Sequence, residues 1–138
     1  MSVSVRQGTP VDVEAVLGLW AQSATVQTVT DDREGLEAVL RRDADALLVA
    51  ELDGELVGSL ICLWDGWRAG MYRLAVAESA RRQGVASALV AAGEERLRAV
   101  GARRIQAIVV EEEAPAMGFW TRAGYHAQPE VMRFVKNV

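Results

Sequence analysis

The chain opens with strict alternation, Ser-Val-Ser-Val-Arg over Ser2 to Arg6, and a period of two predicts a short strand. Thr9-Pro10-Val11-Asp12 follows as a helix start, with an N-cap residue, a proline at the first helical position and an acid close behind. Val13, Val16, Leu17 and Trp20 then recur at helical spacing and carry a first helix to about Ala24. Leu36, Val39 and Leu40 predict a shorter second helix, preceded by the acidic pair Asp31-Asp32.

The middle of the chain changes period. Ala46 to Leu52 and Glu55 to Leu63 are apolar runs joined by Asp53-Gly54, a two-residue hairpin turn whose positions both tolerate positive φ. Asp65-Gly66 marks another turn, and Gly70 to Val76 is the next strand. Val85, Leu89, Ala92, Leu97 and Val100 restore helical spacing from Gly84 to Val100, and Gly101 ends that helix. Arg104 to Val110 reads as a buried strand, Pro115 to Ala123 as a short helix closed by Gly124, and Val131 to Val135 as a final strand. The order β-α-α-β-β-β-α-β-α-β joins an antiparallel hairpin to a β-α-β unit. It implies an α/β (α+β) fold, with a mixed, mostly antiparallel sheet flanked by helices.

Composition narrows the class. With 138 residues the chain suits one domain over positions 1–138. A hydrophobic content of 51% with 25% charged residues argues against disorder and fibrous repeats. No apolar run approaches membrane-spanning length, and no signal-peptide pattern opens the chain, so neither a membrane nor export is expected. Cys62 is the lone cysteine and has no intrachain partner, which fits the cytoplasm. The net charge of −4 argues against nucleic acid as a partner. Arg81, Arg82, Arg96, Arg98, Arg103 and Arg104 nevertheless crowd one third of the chain, as a solvated helix face or as an anion site.

Leu74 to Leu89, LAVAESARRQGVASAL, separates those two meanings. A strand ends, a polar turn follows, and a glycine opens a long amphipathic helix. Unpaired N–H groups and the helix dipole make such a start a site for phosphate oxygens. Gly84 and Ala86 are small enough for close approach, Ser87 adds a hydroxyl, and Arg81 or Arg82 adds charge. A Walker loop is excluded, because no glycine run is followed by Lys-Ser/Thr. A dinucleotide fingerprint fails too: a polar turn precedes the glycine, and the first glutamate after the next strand is Glu111.

Arg81-x-x-Gly84-x-Ala86 resembles the R/Q-x-x-G-x-G/A signature of the GNAT N-acetyltransferase superfamily. Leu74-Ala75-Val76 precedes it, and FWTRAGY (Phe119 to Tyr125) stands where the family usually reads F-Y-x-x-x-G-F. The element order also matches, so the resemblance covers nearly the whole chain, and the hairpin and Asp65-Gly66-x-Arg68 turn look like those of short bacterial members. It implies acetyl-CoA as cosubstrate, a primary amine on a small molecule, peptide or protein as acceptor, and no metal. A homodimer is an expectation from the resemblance alone. The implied cofactor-binding residues are Leu74, Ala75, Val76, Arg81, Arg82, Gln83, Gly84, Val85, Ala86, Ser87 and Trp120. Pantetheine would lie in a splay between the strand ending at Val76 and the strand beginning at Arg104. The Val76 N–H would polarise the thioester carbonyl.

Two positions depart from the family pattern. Trp120 replaces a tyrosine that often protonates the leaving thiolate, and an indole N–H donates a hydrogen bond without surrendering its proton. Glu113 stands where an asparagine is common. Glu111, Glu113 and Asp65 are candidates to take the amine proton, although each reads more readily as a solvated surface acid. Ile108 occupies a place where members acting on ribosomal-protein N-termini often carry glutamate. The rival to an enzyme is a degenerate domain that binds acyl-CoA as a sensor or partner subunit, motivated by Trp120. Trp64 and Trp67 read either as substrate-stacking groups or as core and interface residues. His126 reads as a surface histidine and Cys62 as a small core residue. Asp31, Asp32 and Glu34 read as an attraction for a cationic acceptor or as a helix cap.

Overall fold

A computed structural model describes residues 2–22, 27–109 and 114–138 of the chain. These fall into two compact units, Met1–Ile108 and Val109–Val138. The first unit holds a five-stranded sheet: β1 (Val3–Gln7), β2 (Leu47–Leu52), β3 (Glu55–Trp64), β4 (Ala69–Val76) and β5 (Ile105–Ala107), side by side in that order. Pairing is antiparallel from β1 to β4 and parallel between β4 and β5, the mixed and mostly antiparallel sheet that the period pattern implies. Asp53 (φ 53°) and Gly54 (φ 80°) both take the left-handed backbone that a two-residue hairpin requires.

Three helices cover the sheet. A 3-10 turn (Pro10–Asp12) leads into α1 (Val13–Ala21), and α2 (Arg33–Arg42) starts at Asp32, whose side chain accepts from the Gly35 N–H at 2.8 Å. Val13, Val16 and Trp20 of α1 and Leu36 of α2 pack against Leu47, Val49 and Ile61 on one face. Alternation along the strands sends Leu60 and Cys62 to the other face, beneath α3 (Val85–Ala99). There Gly93 permits the closest approach, since a Cβ on it would stand 2.7 Å from the Cys62 Sγ. Arg96 fastens the far end of α3, donating to the Cys62 carbonyl at 2.7 Å and pairing with Asp43.

The other unit contains α4 (Ala114–Arg122), closed by Gly124 at φ 99°. Three expectations change. Helix α1 stops at Ala21, with Gln22 as its cap, and residues 23–26 lie outside the described residues. Strand β5 ends at Ala107: Ile108 and Val109 leave the ladder, and Val110 lies outside the described residues. The final strand expected at Val131 to Val135 does not form. Val131, Met132, Phe134 and Val135 are exposed, and β-propensity yields a strand only where an edge supplies partners. No helix among the described residues is long and apolar enough to cross a membrane.

Candidate active site

Strand β4 has two different neighbours along its length. Ala69, Gly70 and Met71 pair with Ile105, Gln106 and Ala107 of β5. From Tyr72 to Val76 no β5 residue stands opposite among the described residues, so this stretch presents an open edge. A splayed sheet of this kind leaves main-chain groups free to receive an extended ligand.

Which groups face that edge is decided by a bulge. Up to Tyr72, β4 pairs in one register (Met71 with Cys62, Tyr72 with Ile61). Beyond it the register has moved by one, with Ala75 opposite Ser59 and Val76 opposite Gly58. The extra residue falls at Arg73-Leu74, and Arg73 adopts the left-handed φ of 54°. After the bulge the Ala77 N–H donates to the Val57 carbonyl at 2.8 Å. Because N–H groups alternate sides along a strand, the Val76 N–H points away from β3, toward the open edge. Without the extra residue Val76 would stand opposite Val57, and its N–H would be spent on β3.

The open edge runs directly into the glycine-bearing turn. A short 3-10 turn (Glu78–Ala80) is anchored by the buried Ala80, while Arg81, Arg82, Gln83, Gly84 and Ser87 are exposed. Arg82 (φ 65°) and Gly84 (φ 80°) are both left-handed, a turn geometry that gathers successive N–H groups on one side. Gly84 is the N-cap of α3, and no side chain caps that helix. The first amide bonded back is Ala88, to the Gly84 carbonyl at 3.0 Å, leaving the N–H groups of Val85, Ala86 and Ser87 for an outside acceptor. A Cβ built on Gly84 meets nothing within 4 Å, so the cradle is open. The Gln83 amide donates to the Ser79 carbonyl at 3.3 Å, which leaves that residue its main-chain N–H to offer.

Gly58 holds the two halves together. It lies opposite Val76 in the ladder and under the first turn of α3. Leu74 to Val76 and Arg81 to Ser87 therefore form one continuous cradle, and it suits a long ligand with a diphosphate at one end. On the α1 and α2 face, a cleft of about 420 Å³ is lined by residues that include Arg42, Trp64, Arg68, Gly70, Tyr72 and Gln106.

The remaining candidates separate. Asp65 accepts from the main-chain N–H groups of Arg68 (2.6 Å) and Trp67 (2.8 Å), which hold its carboxyl below the usual range, so it shapes its turn and is a poor base. Trp64 lines the cleft, whereas Trp67 is exposed with the Arg68 guanidinium 4.2 Å above its ring. Asp31 is no free anion: it pairs with Arg73 and accepts from Thr28. Cys62 is buried, and burial pushes its thiol up to about 12. Trp120 belongs to the second unit, edge-on to Phe119 (5.4 Å) and Tyr125 (4.9 Å). Glu111 and Glu113 lie outside the described residues. Among the described residues, no group of three or more metal-ligating side chains stands together. The bulge and its supports escaped sequence reasoning; the visible signals were Arg73 within an apolar strand and Gly58 within another.

Comparison with known proteins agrees with this geometry. The model of the acetyltransferase (GNAT) family matches residues 14–125. A curated acetyltransferase of Pectobacterium atrosepticum is 35% identical over 114 residues, covering 83% of this chain and 81% of that protein. Among solved structures, the PaiA N-acetyltransferase of Thermoplasma acidophilum in complex with coenzyme A superposes with a TM-score of 0.82 at 16% identity, covering 93% of this chain and 92% of that one. The aminoglycoside acetyltransferase AAC(6')-Iy, bound to a bisubstrate analogue, gives 0.79 at 20% identity over the whole of both chains. At these identities the structural likeness carries the fold.

Proposed function

The chain belongs to the GNAT acetyltransferase family, and from that premise we propose that it transfers the acetyl group of acetyl-CoA to a primary amine by direct attack in a ternary complex. One observation carries the reading: the open edge of β4, with the Val76 N–H turned outward, leads straight to the uncapped start of α3. Gln83, Gly84, Val85, Ala86 and Ser87 hold the diphosphate through main-chain N–H groups, and Arg81 and Arg82 add positive charge. Leu74, Ala75 and Val76 line the pantetheine path. The cosubstrate supplies an activated acetyl thioester, and the Val76 N–H donates to its carbonyl oxygen as negative charge develops there.

The acceptor enters through the cleft at Trp64, Tyr72 and Gln106. Glu111 or Glu113 takes the amine proton, directly or through water, and water protonates the thiolate that Trp120 cannot. Both solved relatives support the two substrates by what they contain, coenzyme A in one and an amine-derived bisubstrate analogue in the other. The family match spans both compact units, which supports one catalytic domain over the chain. The lone Cys62 supports the cytoplasm as its compartment.

A thermal-shift titration with acetyl-CoA, with adenosine as control, tests the cradle. At ligand 100-fold above Kd the expected stabilisation is about 2.7 kcal/mol, a rise of several degrees in Tm. Absence of a saturable rise removes the enzyme reading. Trp120 in the tyrosine position favours the second reading, an acyl-CoA-binding domain without transfer. Amine-dependent release of CoA, followed with a thiol reagent across a panel of amines, separates the two.

A further inference from the structure

The bulge that turns the Val76 N–H outward is held by side chains from outside β4. Arg73 occupies a backbone region costly for a residue with a side chain, and such a conformation persists only where its surroundings impose it. Its guanidinium sits over the Trp20 ring at 5.0 Å, and its Nε lies 3.1 Å from Oδ1 of Asp31. The side chains of Arg73 and Asp31 are only 14% and 12% exposed, so this pair is shielded from water. The Arg73 Nε and Nη2 are buried with no hydrogen-bond partner among the described residues, so the guanidinium is held by its ion pair with Asp31. Asp31 is itself fixed, its Oδ2 accepting from the Thr28 N–H at 2.7 Å and the Thr28 hydroxyl at 3.0 Å. Trp20 is fixed as well, its Nε1 donating to the buried Ser59 Oγ at 3.1 Å. Ser59 faces Ala75 across the ladder, the first pair after the bulge. The clamp therefore grips both strands where the register changes.

We propose that Arg73 and Asp31 are positioning residues, whose ion pair, seated on Trp20, locks the extra residue into β4 and keeps the Val76 N–H on the open edge. The proposal rests on the reading of Val76 as the donor to the thioester carbonyl. It assigns to the segment before α2 a part in carbonyl polarisation that neither its sequence nor its distance along the chain suggests. Losing the clamp lets β4 sample the unbulged register, in which Val76 bonds to β3. Binding through the α3 start would survive, and carbonyl polarisation would not.

The test compares Arg73→Ala and Asp31→Asn with the wild type. Alanine lacks the guanidinium but still bears the cost of the left-handed backbone, so Arg73→Ala removes the clamp and leaves that strain unopposed, whereas glycine would relieve it. Two readouts are taken: kcat and KM for acetyl-CoA with an amine that the wild type turns over, and amide hydrogen exchange at Val76 and Ala77 by NMR. The expected result is a kcat lower by about 10-fold or more with KM within about 2-fold, because the lost contact acts in the transition state. Val76 should gain protection relative to Ala77, and Arg73→Lys should recover part of the rate. Unchanged kcat, a matching change in KM alone, or an unaltered exchange pattern in folded variants overturns the proposal. If the wild type turns over no amine, the activity reading has failed, and the exchange pattern of the two amides still decides whether the clamp sets the register.

Discussion

Gly58 of β3 lies directly beneath Val85 in the first turn of α3: a Cβ on the glycine would stand 2.8 Å from Val85 Cγ1 and 3.0 Å from Leu89 Cδ1. Gly58 also faces Val76 in the ladder, so one missing side chain lets the helix start and the strand end share a site. Gly58→Val should push α3 away, costing about 1–3 kcal/mol of stability by overpacking and weakening acetyl-CoA binding. A melting curve and a titration on the same sample check both effects. Destabilisation with unchanged affinity would separate the packing from the site.

Gly84→Asp should abolish detectable acetyl-CoA binding while the fold survives. The substitution sets a carboxylate at the phosphate end of α3, and the φ of 80° adds strain. Gly84→Ala carries the strain without the charge and should bind more tightly than the aspartate variant. Isothermal titration of the two variants measures this order, and equal affinities would refute the cradle.

Trp120→Tyr should preserve or raise kcat, because tyrosine restores an acid for the departing thiolate in an aromatic cluster with Phe119 and Tyr125. Steady-state rates of CoA release give the answer. A sharp fall would mean that the indole shapes the site.

Asp12 should make stability depend on acid pH. It accepts from the two terminal Arg6 nitrogens at 2.9 Å and from the Thr9 N–H at 2.8 Å; the Arg6 hydrogen bonds are the chief cause that brings its pKa down from 3.8 to about 2. A pKa lower in the folded chain contributes stability that is fully present above about 3.8. That stability is lost as pH falls toward about 2. Asp12→Asn should flatten this part of the stability curve, as denaturant titrations between pH 5 and about 2 would show.

Cys62 should resist thiol reagents in the native protein and react fully in denaturant. The thiol is buried and its pKa is pushed up to about 12, so almost no thiolate exists at neutral pH. Fast labelling under native conditions would refute its burial beneath α3.

The local code determined a good deal by itself. Alternation and helical spacing located five strands and four helices within a few residues, and Asp53-Gly54 specified its turn because few residue pairs accept two left-handed positions. The start of α3 at Gly84 was legible for the same reason: a helix start is built from neighbours in sequence. Three outcomes belong to the tertiary structure. Val131 to Val135 has the composition of a strand yet forms none, since a strand needs a partner that composition does not provide. Asp31 reads as a helix cap or a free anion until Arg73, 42 positions along the chain, neutralises it. The Val76 N–H faces the open edge only because one extra residue shifts the β3–β4 register, and register is a property of two strands together. Helix starts and turns are local and can be read from neighbours, whereas register, charge pairing and edge exposure depend on residues that only folding brings into contact.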